Sequence, residues 1–183
     1  MLNTLVVHVE NKPGVLTRVA SLFRRRAFNI DSLTVGRTEK PEVSRMTITV
    51  DADRDQVRRI EANLYKLVNV LLVENITNEP AIMRDLAMIR VAAKHGERSH
   101  VLELASVFRA RVIDVAAESL TIEITGGEDK IDGLLDVLRP YGVLEMVRTG
   151  IVAMRRGSRS IAAAAEARQA TPQFADEDIP YSV

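Results

Sequence analysis

No cysteine occurs among the 183 residues. That excludes disulfides, a thiolate nucleophile and a cysteine-based zinc site. Tryptophan is also absent and aromatics make up 4% of the chain. A site built on stacked bases or sugars is therefore short of material. There is no excess of charge of either sign, because 25 Lys and Arg balance 25 Asp and Glu. Nothing global draws the chain to nucleic acid or to an anionic membrane. No run of about 18 apolar residues is present, so a membrane span is not expected. Met1-Leu2-Asn3-Thr4 has no basic region ahead of an apolar core, and no signal peptide is expected either. A cytoplasmic protein is the default expectation. The hydrophobic content of 46% and charged content of 27% are ordinary for a globular chain.

The patterns that are there begin with alternation. Leu5, Val7 and Val9 fall on one face and Val6 and His8 on the other, which predicts a strand over 5–9. Residues 14–26 predict a helix, with Val15, Leu16, Val19, Leu22 and Phe23 along one side. Residues 30–38 and 43–51 predict a hairpin turning at Lys40-Pro41-Glu42. Val57, Ile60, Leu64 and Leu67 place a second helix over 54–67, and 69–76 follow as a fourth strand. The order β-α-β-β-α-β is the ferredoxin-like unit, with two helices on one sheet face and the other face expected to be free.

After Asn78-Glu79-Pro80 the pattern restarts. Ala20-Ser21-Leu22-Phe23-Arg24 is echoed by Ala105-Ser106-Val107-Phe108-Arg109, and Ile30-Asp31 by Ile113-Asp114. Met46, Ile48 and Val50 match Leu120, Ile122 and Ile124, while Val57, Ile60 and Leu64 match Ile131, Leu134 and Leu138. The fold expected is α+β, two tandem ferredoxin-like βαββαβ modules over 1–78 and 81–157. From Ser158 the composition changes to an alanine run and then acidic residues. Residues 158–183 read as a disordered tail, helical at most near 160–169.

A duplicated scaffold marks its functional residues where the copies disagree. Asn11-Lys12-Pro13-Gly14 is set against Gly96-Glu97-Arg98-Ser99, and Asn29 against Val112. The first amides of a helix lack intrahelical partners and sit at the positive end of its dipole, so they suit an anion. Pro13 presets the turn, and Gly14 lets a ligand approach the amides of Gly14, Val15 and Leu16. Asn11 and Asn29 each add a neutral carbonyl and an NH₂ group. Bare amides for a carboxylate, a carbonyl for an ammonium and aliphatic walls suit a zwitterionic aliphatic amino acid. The same residues also make a good helix start and a turn before a strand.

The run VENKPGVLTRVASLFRRRAFNIDSLTVG, followed by SRMTITV and LYKLVNV, resembles the ACT domain of acetolactate synthase (acetohydroxyacid synthase) regulatory small subunits. The likeness continues through Ile113-Asp114-Val115 and Arg148-Thr149-Gly150-Ile151-Val152, and covers about residues 2–157. Its most specific parts are the Asn-x-x-Gly loop, Phe28-Asn29-Ile30-Asp31-Ser32-Leu33 and Ser44-Arg45-Met46-Thr47. The resemblance implies a non-catalytic subunit without a cofactor of its own. Its catalytic large-subunit partner would use thiamine diphosphate, Mg and FAD. A branched-chain amino acid, usually valine, would bind for feedback inhibition. The resemblance also implies a homodimer, with Asn11, Gly14, Val15 and Leu16 of one copy closing a pocket with Asn29 and Ile30 of the other. Gly36 stands where Ala is also found in the family, and the acidic tail is outside its pattern.

Other groupings carry less. His8 reads as a strand histidine, and His95 and His100 with Glu97 lack a third metal ligand. Gly126-Gly127 lacks the dinucleotide-binding context, Arg24-Arg25-Arg26 suits a helix C-terminus, and Asp176-Glu177-Asp178 falls in the tail. No nucleophile, base and orienter occur together. An amino-acid sensor serving a different enzyme is the nearest alternative. An RNA-binding βαββαβ module is a more distant one, because Val6, His8, Thr47 and Thr49 offer no aromatic platform.

Overall fold

The computed structural model describes residues 1–94 and 96–157; His95 and the expected tail from Ser158 lie outside the described residues. The first unit contains β1 (Leu2–Glu10), α1 (Val15–Arg25), β2 (Ile30–Arg37), β3 (Val43–Asp51), α2 (Arg54–Leu64) and β4 (Val70–Asn75). Its sheet runs β2-β3-β1-β4, all antiparallel. The second unit contains β5 (Ala81–Ala92), α3 (Arg98–Val107), β6 (Arg111–Val115), β7 (Ser119–Gly126), α4 (Glu128–Leu138) and β8 (Val143–Arg148), ordered β6-β7-β5-β8. The two units are the tandem ferredoxin-like modules expected of the sequence. A short strand absent from that expectation, β9 (Val152–Arg155), pairs with the beginning of β5, from Ala81 to Arg84.

Helical spacing decides the two cores. Val15, Val19, Leu22 and Phe23 of α1 and Val57, Ile60 and Leu64 of α2 close over Leu5, Val7, Met46 and Ile48. Phe23 meets Phe28 edge to face, with ring centroids 6.5 Å apart. Leu67, expected inside α2, lies beyond its end and packs on the core from the loop. Asp53 and Gln56 start α2 with a reciprocal capping box, both bonds at 2.8 Å. In the second core Ile131, Leu134 and Leu138 of α4 cover Ile89, Leu120, Ile122 and Ile124, all at most 1% exposed.

Shared landmarks fix the internal repeat and correct several of its pairings. The β-bulge at His8/Val9 recurs at Arg90/Val91, and the one at Ile30/Ser32 recurs at Val112/Asp114. The left-handed residue closing the first helix, Ala27, recurs as Arg109. One interval relates all three, and it sets Gly96 against Gly14 and Arg111 against Asn29, instead of Ser99 and Val112. The Ala-Ser-x-Phe-Arg match is displaced by close to one helical turn, a shift that leaves an amphipathic pattern nearly unchanged. The glycine therefore belongs to both modules. Asn11, now opposite Ala93, and Asn29 remain particular to the first.

The sheet face expected to be free is covered. Thr4, Val6, His8, Thr47 and Thr49 are all buried on it. Val6 forms a third cluster with Ile76 and Ala153, backed by Ala81, Met83 and Ile151. The strip β9 and the head of β5 thus seat the second module on the outer face of the first. Burying a Val or Ile side chain is worth about 1.5–3 kcal/mol, so this small cluster is a substantial contact. The face an RNA-recognition module would need for stacking is closed, which removes that alternative.

Candidate functional site

The start of α1 is built as an opening. Gly14 is its N-cap, at φ 81° and ψ −6°, the left-handed region that glycine enters without strain. No side chain caps the helix and no acidic residue lies in its first turn. A Cβ at Gly14 would meet nothing within 4 Å. The Val15 amide makes a long bond of 3.4 Å to the Lys12 carbonyl, and Arg18 N–H makes the first intrahelical bond, 3.1 Å to the Gly14 carbonyl. The Leu16 and Thr17 amides have no acceptor among the described residues. By contrast, α2 has its capping box and α4 has Glu128 and Asp129 in its first turn.

The loop before Gly14 is held from two sides. Asn11 N–H donates 2.7 Å to the Glu42 carbonyl, and Asn11 Nδ2 donates 2.9 Å to the Pro41 carbonyl. The Asn11 side-chain NH₂ is thus engaged, while its carbonyl oxygen meets no donor among the described residues. On the other side, Asn69 Nδ2 donates to Glu10 Oε2 and Asn69 Oδ1 accepts from Arg18. Glu10 also accepts from Lys12 Nζ at 3.1 Å. The Asn69 bond, then the Lys12 contact, hold the Glu10 carboxyl below its usual range. Asn69 is 8% exposed, so it is a structural tie between β1, α1 and β4. Sequence reading passed over Glu10 and Asn69, because long-range side-chain pairs leave no spacing signal.

The six expected effector residues fall in two places. Asn11, Gly14, Val15 and Leu16 lie at the start of α1, and Asn29 and Ile30 lie past its end. Val15 is buried with its side chain in the core, so only its amide faces the site, while Leu16 is 44% exposed. At 1.5 Å per residue the helix holds its two ends about 16 Å apart. A single chain therefore does not bring the two groups into one pocket. Asn29 is exposed and Ile30 opens β2, an edge strand of the sheet.

Among the described residues no group of three or more His, Asp or Glu side chains is placed to hold a metal ion. His8 is 1% exposed, and neither ring nitrogen has a partner among the described residues. Burial first, and the Arg45 charge second, lower its pKa to about 4. It is a neutral core residue. Among the described residues no helix is long and apolar enough to cross a membrane.

A tandem ferredoxin-like chain with an open, glycine-capped first helix is of the ACT class, and comparison with known proteins agrees. Residues 5–72 match the model of the AHAS small subunit-like ACT domain, and residues 84–157 match that of the small subunit of acetolactate synthase. The chain belongs to the acetolactate synthase small-subunit family. It is 50% identical over 159 residues to a probable acetolactate synthase small subunit of Archaeoglobus fulgidus, covering 87% of this chain and 99% of that one. It is 51% identical to the acetolactate synthase small subunit of Mycobacterium leprae, covering 87% and 94%. The crystal structure of the acetolactate synthase small subunit from Thermotoga maritima superposes with a TM-score of 0.80 at 39% identity, covering 87% of this chain and 99% of that one.

Proposed function

We propose that this chain, an acetolactate synthase small subunit, binds a branched-chain amino acid, valine foremost, and makes a catalytic large subunit sensitive to it. The observation that carries this reading is the pair of unpartnered amides, Leu16 and Thr17, behind the open cap at Gly14. They receive the effector's carboxylate. The free Asn11 carbonyl receives its ammonium, and Leu16 offers an apolar wall.

The site is completed by a second copy. Asn29 and Ile30 lie too far along α1 to serve the same ligand within a chain, and they stand at the edge strand where another copy can reach. A two-fold dimer presents this pair to its neighbour's helix start, twice per dimer. The chain itself performs no catalysis. Thiamine diphosphate, magnesium and FAD belong to the large subunit, which the small subunit also activates, and the assembly works in the cytoplasm.

The magnitudes fit a sensor of a metabolite pool. Two or three charge-assisted bonds contribute about 1.5–3 kcal/mol each. Burying a valine-sized side chain adds roughly 1.5–3 kcal/mol, and association costs at least about 4 kcal/mol. The balance reaches at most about 8 kcal/mol, which caps the affinity near micromolar. Calorimetric titration of valine into the isolated protein tests the reading. Saturable binding near one site per chain supports it, and no heat at millimolar valine refutes it.

A further inference from the structure

The motif Arg148-Thr149-Gly150-Ile151-Val152 has no part in the effector site, yet the structure places it against the strand that begins there. Ile151 N–H donates 3.3 Å to Ser32 Oγ, and Thr34 Oγ1 donates 3.3 Å to the Thr149 carbonyl. Both partners are on β2, whose first residue, Ile30, follows Asn29. Between these two bonds sits Gly150 at φ +83°, and a Cβ there would stand 3.1 Å from Ser32 Oγ and 3.2 Å from Thr34 Oγ1. A side chain at 150 would sit in strained backbone at φ +83° and press on the Ser32 and Thr34 hydroxyls, which would have to give way by a few tenths of an ångström. The hydroxyl-bearing residues of β2 are thus keyed to a bare backbone turn of the second module.

That turn is fastened to the second module's own frame. Thr149 N–H donates 3.0 Å to the Leu86 carbonyl, and Leu86 N–H donates 3.2 Å to Thr149 Oγ1. Thr149 Oγ1 in turn donates 3.0 Å to Asp85, a carboxylate 5% exposed. Arg148 pairs with Asp132 on α4. A displacement of β2 therefore meets β5 and α4 through one turn. Beside the contact a cleft of about 440 Å³, lined by Asp31, Leu33 and Glu128 among others, leaves room for the two modules to reseat.

We propose that the Ser32–Thr34/Gly150 seam is the coupling element through which the effector site biases the placement of the second module. This rests on the effector reading above for what occupies the site, though not for the coupling itself. Coupling is reciprocal, so a change at the seam must alter the effector residues even with no ligand present. A contiguous path of contacts becomes a coupling path only when such a response is measured.

The test uses the full chain, with Gly150→Ala compared to Gly157→Ala. Gly157 has φ +98° and, among the described residues, nothing within 4 Å of its Cβ position, so its variant carries the backbone strain without the contact to β2. Amide hydrogen exchange of the segment 28–33 is followed first without ligand. The seam predicts faster exchange there in Gly150→Ala and wild-type exchange in Gly157→Ala; equal exchange in Gly150→Ala and wild type overturns the proposal. Valine titration is the second arm, with binding expected to weaken by about fivefold or more in Gly150→Ala alone. Unchanged affinity in that variant also overturns it. If the wild-type chain binds no valine, the effector reading fails, and the exchange arm alone decides the seam.

Discussion

His8 and Arg45 stand opposite one another in the β1–β3 register, on the sheet face that the second module covers. Arg45 donates to the carbonyl of Ala153 in β9, while His8 finds no partner for either nitrogen among the described residues. A histidine in that position is tolerated because it stays neutral. Its pKa of about 4 lies below the ordinary 6.5, from burial first and from Arg45 second, with Glu39 opposing weakly. The unfolded chain then binds more protons than the folded one between those pH values. The stability it contributes is fully present above pH 6.5 and is lost progressively as pH falls toward 4, by roughly 3 kcal/mol at the limit. Carboxylates titrate in the same range, so the comparison is with His8→Leu. Denaturant unfolding at a series of pH values is expected to show a shallower acid slope for that variant. Parallel slopes for the two proteins would mean that His8 does not titrate as described.

Gly14→Asp is expected to abolish the valine response and leave activation of the large subunit in place. The substitution sets a carboxylate at the amides proposed to receive the ligand's own, and it forces a side chain into φ 81° at a strain cost of about 1 kcal/mol. Assay of the reconstituted enzyme checks both halves. Inhibition at wild-type valine concentrations would show that the ligand sits elsewhere.

Asn69→Ala removes the amide that joins Glu10 to Arg18 and frees the loop carrying Asn11 and Gly14. Valine affinity is expected to fall about threefold to tenfold, the scale of one or two hydrogen bonds, with the mass in solution unchanged. Asn69→Asp keeps the bond from Arg18 but sets a carboxylate against Glu10, so it is expected to fall short of full rescue. Calorimetry giving wild-type affinity for Asn69→Ala would remove that residue from any part in positioning the loop.

Much of the fold is legible in the sequence because helix and strand periods write themselves into the apolar pattern. Val57, Ile60 and Leu64 repeat as Ile131, Leu134 and Leu138, and all six are buried where spacing puts them. The β2–β3 hairpin lies within a residue of its expected ends. What stayed hidden has no period. β9 is four residues long, and its pairing with the head of β5 is a contact distant in sequence. The covered sheet face reads as polar, with Thr4, His8, Thr47 and Thr49, so alternation alone leaves it open to solvent. The seam depends on Ser32, Thr34 and a glycine, small residues whose proximity only the tertiary structure reveals. At the candidate site the residue types and the open helix start are legible in the pattern. The separation of Asn29 from Gly14 follows from the length of α1, once its ends are known.

The central claim, that one effector site is assembled from two copies, is tested most directly by mixing two defective chains. Gly14→Asp spoils the helix start of its own copy, and Asn29→Ala spoils the pair it lends to its neighbour. In a mixed dimer one site inherits both defects and the other inherits neither. Calorimetry of the mixed dimer is predicted to recover valine binding of wild-type affinity at one site per two chains. Failure to regain any wild-type site would contradict the account and place the whole of the effector site within a single chain.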